Sequence, residues 1–215
     1  MKALYFIRHG QTLFNVLNKV QGSSDSLLTE EGASAAGKLG ERFKSQNLAF
    51  DIAYTSDLGR ARQTARLFLE HSNHPQTPLI ETADLREVSF GCFEGGSNDR
   101  LWADVSKYSQ NQVSESSTDE EKIQILSIIK KLDTMNMAEN YEDVAKRIRS
   151  ILNTARQSDA ENLLFFSHGL FINCLLYFLT DQKMKVNHIN NTTVTKITDD
   201  GQTFHIDYIG KKEAF

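Results

Sequence analysis

Apolar positions along this chain fall into two kinds of segment. Short, mostly apolar runs alternate with longer stretches in which apolar residues recur at helical spacing. The short runs are Ala3–Ile7, Ala49–Tyr54, the pair Leu79-Ile80, and Glu161–Ser167 with its Leu163-Leu-Phe-Phe core. Such runs predict strands covered on both faces. Between them, Thr29 reads as an N-cap with Glu30 and Glu31 in the first turn, opening a helix through Gly32 to Lys44. Ser56 or Asp57 is placed to cap a second helix to about His71, which Pro75 and Pro78 bring to an end. Leu170 to Leu179 predicts a late helix, and Thr192–Thr198 alternates β-branched and polar residues. Asp200-Gly201 is a turn signal, so Gln202–Ile209 completes a terminal hairpin at a sheet edge.

The stretch from Ser97 to Ala160 differs, for it holds no Gly and no Pro. It includes a polar run, Ser109 to Glu121, in which Thr118 and Glu121 have capping-box spacing. Ile125, Ile128, Ile129 and Leu132 predict one helix, and Tyr141, Val144, Ile148, Ile151, Leu152 and Ala155 another. The expected fold is α/β, a three-layer sandwich. It has a mostly parallel central sheet, an antiparallel edge strand, helices on both faces and a helical cap insertion at about 97–136, all in one domain over 1–215.

Composition narrows the partners. Of the 215 residues, 40% are apolar and 24% charged, ordinary for a globular domain, and the net charge of -4 argues against nucleic acid. No apolar run is long enough to span a membrane, and Met1-Lys2-Ala3-Leu4 carries no signal-peptide pattern. Cys92 and Cys174 show no metal or redox spacing, which predicts two small buried hydrophobes in a reduced, cytoplasmic protein. The sequence gives no reading of oligomeric state.

The chemistry gathers at strand ends. Arg8 and His9 close the first strand, and Gly10 breaks it; Ser167-His168-Gly169 repeats the pattern at the fourth. A cation and an imidazole are poor core material, but open parallel sheets bind ligands beyond the strand carboxyl ends. Arg60, early in its helix, adds a second guanidinium. Two guanidiniums and two imidazoles form a cradle for phosphate oxygens, with one histidine able to act as nucleophile. A carboxyl group is then needed for the leaving oxygen. Glu87, in the loop Asp84–Gly96, is preferred, with Glu81, Asp84 and Glu94 as alternatives. His71 and His74, beside Pro75, are expected to face solvent, as are His188 and His205. Trp102 and Tyr108 belong either to a substrate pocket or to the core.

These residues, in this order, resemble the histidine phosphatase superfamily, in its phosphoglycerate mutase-like branch. Arg8-His9-Gly10-Gln11-Thr12 with Asn15 is similar to the family signature R-H-G-x-T-x-x-N. Gln21-Gly22, Asp25, Leu28-Thr29 and Gly32 resemble the loop after it, and Ser56–Thr64 the arginine helix. Leu85-x-Glu87 with Phe90-Gly91-x-Phe93-Glu94-Gly95 resembles the acid loop, and Ser167-His168-Gly169 the second histidine. Together these segments cover roughly half the chain.

The resemblance implies a phosphohistidine at His9, with Arg8, Arg60, Asn15 and His168 binding the transferring group and Glu87 as proton donor. It also implies that Gln21 and the amides near Gly22 and Gly169 line the site, and that no metal or other cofactor takes part. The expected activity is metal-independent hydrolysis of a small-molecule phosphomonoester. A phosphoglycerate mutase-type transfer and a catalytically weak phosphate-ligand binding protein are the alternatives. The chain lacks the Arg-rich substrate segment of mutases and is shorter than expected for them, which favours the phosphatase. Where the family has Gly-Glu-Ser before the late helix, this chain has Glu139-Asn140, which leaves the contacts of that corner open.

Overall fold

Strand β1 (Lys2–Arg8) lies inside a six-stranded sheet. The computed structural model describes residues 1–72, 74–109, 118–181, 188–213 and 215. The remaining strands are β2 (Ile52–Ser56), β3 (Leu79–Thr82), β4 (Asn162–Ser167), β5 (Val194–Asp199) and β6 (Phe204–Lys211). Their order across the sheet is β3-β2-β4-β1-β5-β6. The pairs β3–β2, β2–β4 and β4–β1 are parallel; antiparallel pairing is confined to the β5–β6 side, where β5 runs against β1. The mostly parallel sheet with an antiparallel edge is thus present.

Alternation sorts the side chains of each strand onto two cores. Leu4, Phe6, Tyr54, Leu163, Phe165 and Ile197 belong to one, in which Phe6 and Tyr54 both stack on Phe165. Tyr5, Ile7, Ala53, Leu164, Phe166 and Val194 belong to the other. Helices α2 (Glu30–Ser45) and α3 (Gly59–His71) cover the second core through Leu39, Phe43, Ala65, Phe68 and Leu69. Helices α4 (Asn98–Ser109), α5 (Asp119–Leu132), α6 (Tyr141–Gln157) and α7 (Gly169–Leu179) cover the first. Both faces are therefore sheathed in helix, as the mostly apolar runs require. A four-residue helix, α1 (Leu13–Val16), lies in the segment read as loop; Thr12 and Asn15 close it with a reciprocal capping box.

Several local expectations change. Strand β2 starts at Ile52 rather than Ala49, because the Asp51 carboxylate turns aside to accept the N–H groups of Glu161 and Asn162. Neither Ser56 nor Asp57 caps α3: the N-cap is Leu58, and the side chain that meets the first amides is the distant Asp25, which accepts from Gly59 and Arg60. Cys92 is exposed, while Cys174 is buried as expected. His71 and His74 are half-buried, and each ring binds a backbone carbonyl, of Leu67 and Leu48. Residues 110–117 of the polar run lie outside the described residues. Among those described, no helix is long and apolar enough to cross a membrane.

Candidate active site

The register of β1 and β4 builds the centre of the site. Arg8 pairs with Ser167, and the His9 N–H donates to the Ser167 carbonyl at 3.0 Å. His9 and His168 therefore leave adjacent strands at the same level, with ring centroids 5.1 Å apart. Arg60 follows β2 at the start of α3, and Glu87 follows β3 through a single 3-10 turn at Ala83–Leu85. Four parallel strands thus deliver Arg8, His9, Arg60, Glu87 and His168 from their carboxyl ends. All five are buried, with exposures of 9, 2, 1, 8 and 0% respectively.

The hydrogen bonds fix the protonation pattern of both rings. His9 Nδ1 lies 2.7 Å from the Gly10 carbonyl, which can only accept, so Nδ1 carries the proton and Nε2 keeps its lone pair. His168 Nδ1 receives the Arg60 Nε–H at 3.2 Å, so its proton sits on Nε2, which has no partner among the described residues. Burial lowers the pKa of both rings well below the usual 6.5, and the charges of Arg60 and Arg8 lower it further. Both imidazoles are neutral donor–acceptor pairs at neutral pH.

Arg60 is anchored as well as buried. Its Nη1 donates to the Ser24 carbonyl at 2.8 Å and to the Asp25 carboxylate at 3.0 Å, and its Nη2 donates to the Gly22 carbonyl at 2.8 Å. Arg8 donates to the Ile189 carbonyl and lies 3.1 Å from His188 Nε2. His188, though exposed, is therefore part of the site surroundings and not simple surface.

Glu87 sits against the N-terminus of α7. Its Oε1 accepts from Val88 at 3.0 Å and Phe171 at 2.8 Å, and its Oε2 accepts from Leu170 at 3.1 Å. Burial raises its pKa above the usual 4.5, and those amides together with Arg60 and Arg8 only partly offset it. The alternative acids are placed elsewhere. Glu94 accepts from the amides of Gly22, Ser23, Ser24 and Phe90 and from the Ser24 hydroxyl, which fills a carboxylate's lone pairs. Glu81 pairs with Arg62 and Arg66, and Asp84 accepts from Ser150.

A cavity of about 370 Å³ opens beside this centre, reaching Arg8 and Glu87 of the five central residues but not His9, Arg60 or His168. Arg8, Glu87, Asn15, Gln21 and Gly169 line it. Asn15 Oδ1 accepts the Thr12 N–H at 3.1 Å and Asn191 Nδ2 at 3.3 Å, while Gln21 Oε1 accepts from the hydroxyls of Thr12 and Ser26. A Cβ at Gly169 would lie 3.2 Å from Arg8 Nε, a tight contact that would make the Arg8 side chain give by a few tenths of an ångström. Gly22 departs from expectation. Its amide is taken by Glu94 and its carbonyl by Arg60, so it holds Arg60 rather than lining the cavity. Trp102 from α4 and Lys122 from α5 also line the cavity, with the Lys122 ammonium 5.8 Å from the indole ring. Trp102 is both core and pocket, being 7% exposed.

Sequence reasoning missed Asp25 as the partner of Arg60, Glu94 as the tie between two loops, and Asn191, which donates to the His9 carbonyl at 2.9 Å. Among the described residues, no group of three or more His, Cys, Asp and Glu is arranged to hold a metal.

The chain is 29% identical over 218 residues to a broad-specificity phosphatase of Saccharomyces cerevisiae, covering 98% of this chain and 86% of that one. It is 40% identical over 100 residues to the 2,3-bisphosphoglycerate-dependent phosphoglycerate mutase of Bartonella quintana, about half of each chain at 46% and 48%. It superposes on the crystal structure of phosphoglycerate mutase from Bacillus anthracis with a TM-score of 0.87 at 32% identity, covering 98% of this chain and 93% of that one. The profile of the histidine phosphatase superfamily, branch 1, matches residues 4–212, and the chain belongs to that family.

Proposed function

We propose that this protein is a metal-independent phosphatase that hydrolyses a small-molecule phosphomonoester through a phosphohistidine at His9, with Glu87 as proton donor. One observation carries the reading. The Gly10 carbonyl holds the proton of His9 on Nδ1, which leaves a neutral Nε2 lone pair on a buried ring that feels the charges of Arg60 and Arg8.

In the first step the Nε2 lone pair forms the N–P bond as the P–O bond to the leaving group breaks. The Glu87 proton passes to the departing oxygen, so an alcohol leaves rather than an alkoxide. Arg8, Arg60 and the Nε2–H of His168 meet the charge on the three equatorial oxygens, with Asn15 beside them. The raised pKa of Glu87 suits this role, and Oε2, which accepts a single N–H, keeps room for a proton. In the second step the Glu87 carboxylate takes a proton from water. The water oxygen attacks phosphorus, the N–P bond breaks, and neutral His9 is restored with release of inorganic phosphate. Residues 97–136 act as the cap in this reading, supplying Trp102 and Lys122 to the cavity.

A second reading is favoured by the likeness to phosphoglycerate mutases at 32% identity across nearly the whole chain. The phosphohistidine would then return its phosphoryl group to a different hydroxyl of the bound molecule instead of to water.

The test is phosphate release from a panel of phosphorylated metabolites with chelator present, comparing wild type with His9→Ala. Chelator-resistant release that His9→Ala abolishes, with acid-labile phosphate trapped on His9, is the expected result. Label trapped on any other residue would overturn it. Isomerised product without net phosphate release would replace it with the mutase.

A further inference from the structure

We infer that Arg147 and Glu139 form a positioning clamp that sets the aim of Glu87. This rests on the reading of Glu87 as proton donor and adds the device that holds it.

Arg147 lies on α6, outside the phosphate cradle, yet three of its five N–H groups find acceptors on the acid loop and the other two on Glu139. Nε and Nη2 form a bidentate pair with the Glu139 carboxylate at 2.9 and 2.8 Å. Nη1 donates to the carbonyls of Asp84 at 3.1 Å and Arg86 at 2.7 Å, and Nη2 reaches the Glu87 carbonyl at 3.4 Å. Glu139 extends the grip to the far side of Glu87. Its carboxylate accepts the Ser89 N–H at 3.0 Å, and its own N–H donates to the Ser89 carbonyl at 2.9 Å. Carbonyls or amides of residues 84, 86, 87 and 89 are thus fixed from one guanidinium–carboxylate pair.

The clamp works against a second hold. The Glu87 carboxylate is pinned to the first amides of α7, whereas its backbone is pinned to α6. The Arg147 guanidinium also lies 5.2 Å from the Phe171 ring, and it is the Phe171 N–H that Glu87 accepts. Backbone and carboxylate of the same residue are therefore registered by two helices that meet at Arg147. A proton donor must be within hydrogen-bond reach of the leaving oxygen, and a displacement of about 1 Å can cost about 10²-fold. Lysine offers three donors on a single nitrogen and cannot reproduce the fork.

The test separates proton donation from folding. kcat/KM is measured for p-nitrophenyl phosphate, whose leaving group departs as a stable anion, and for an alkyl phosphate, whose leaving group needs the proton. Arg147→Ala and Arg147→Lys are compared with wild type and Glu87→Gln, with thermal unfolding recorded for each. Both Arg147 variants are expected to lose about 10-fold or more on the alkyl phosphate, and far less on the p-nitrophenyl ester. If Arg147→Ala does not fold, Arg147→Lys carries the comparison. An equal loss on both substrates in the Arg147 variants, with a graded loss in Glu87→Gln, would overturn the clamp alone. An equal loss in Glu87→Gln itself would overturn the proton-donor role and the clamp with it.

Discussion

Arg60 Nε and His168 Nδ1 are joined by a 3.2 Å hydrogen bond in which only Arg60 can donate, so Arg60 dictates which nitrogen of His168 carries the proton. The guanidinium therefore acts twice, once through its own charge and once through the ring it orients. Arg60→Lys keeps the charge but loses the planar fork. It is expected to lower kcat by roughly 10²- to 10³-fold, comparable to the loss of an oxyanion donor. Steady-state kinetics on the best phosphate ester checks this, and an enzyme within a fewfold of wild type would refute it.

The two shifted groups predict the shape of the pH profile. His9 must be neutral and Glu87 protonated in the free enzyme. The His9 pKa is depressed below 6.5 by burial and the neighbouring arginines, so the acid limb of kcat/KM lies below the usual histidine range. The Glu87 pKa is raised above 4.5 by burial, so the alkaline limb is set by loss of its proton. The acid limb is expected below the usual histidine range and the alkaline limb above the usual carboxylate range, and Glu87→Gln should remove the alkaline limb. An alkaline limb that survives in Glu87→Gln would assign it to another group.

The same buried rings tie stability to pH. For His168 the unfolded chain binds a proton below about 6.5 while the folded chain does not, so stability falls as the pH drops through that value. Glu87 has the opposite sign: the folded chain holds its proton above 4.5, so its contribution fades as the pH rises from there. Urea unfolding of wild type and His168→Asn at neutral and mildly acidic pH separates them. The variant should show a shallower loss on acidification. Identical slopes would mean that His168 is not held neutral in the fold.

Glu94 gathers four backbone amides and one hydroxyl, and in doing so ties the loop at Gly22–Ser24 to the acid loop. Glu94→Gln halves the acceptor capacity and removes the charge. A loss of about 2 kcal/mol in unfolding free energy is expected, because hydrogen bonds to charged groups exceed neutral ones. Activity should fall as well, since the Gly22 and Ser24 carbonyls of that loop hold Arg60. A variant as stable and active as wild type would show the tie to be dispensable.

Lys122 lines the cavity from α5, with its ammonium 5.8 Å from the Trp102 ring. Lys122→Ala should therefore raise KM and leave kcat nearly unchanged, the pattern of a contact equally strong in ground and transition states. The effect should be larger for a phosphate ester with a second acidic group than for a neutral one. A fall in kcat alone would place Lys122 closer to the reacting atoms than the cavity lining suggests.

The sheet was legible because buried parallel strands leave an unbroken apolar trace, as in Leu163–Phe166, and because helix starts such as Thr29 advertise themselves locally. Arg8, His9 and His168 stood out for a related reason, since a charged or titratable residue at the end of an apolar strand is conspicuous, whereas Arg60, on a helix, and Glu87, in a loop with other acids, stood out through the order of the motifs. What holds them did not. Asp25 reaches Arg60, Glu94 reaches Ser23, and Arg147 reaches Asp84, each across a long loop of chain with no period linking the partners. The Glu139-Asn140 corner illustrates the difference. Asn140 caps α6 through a partner three residues on, Asp143, though the sequence alone leaves that corner open, whereas the grip of Glu139 on Ser89 exists only once the sheet has folded. Gly22 was misplaced because a glycine in a phosphate-site loop suggests an amide aimed at the ligand, and here that amide had a carboxylate to meet.

The distance between the two imidazoles begins in the backbone, before Arg60 and the Gly10 carbonyl orient the rings. Neighbouring strands lie about 4.8 Å apart, and the ring centroids of His9 and His168, each one residue beyond the pair Arg8 and Ser167 that ends β1 and β4, are 5.1 Å apart. The gauge of the site is thus the spacing of the peptide ladder itself. Loops and helices around it are free to diversify what enters without resetting that gauge, whereas a slip of a single residue between the two strands would leave one ring on the wrong side of the sheet.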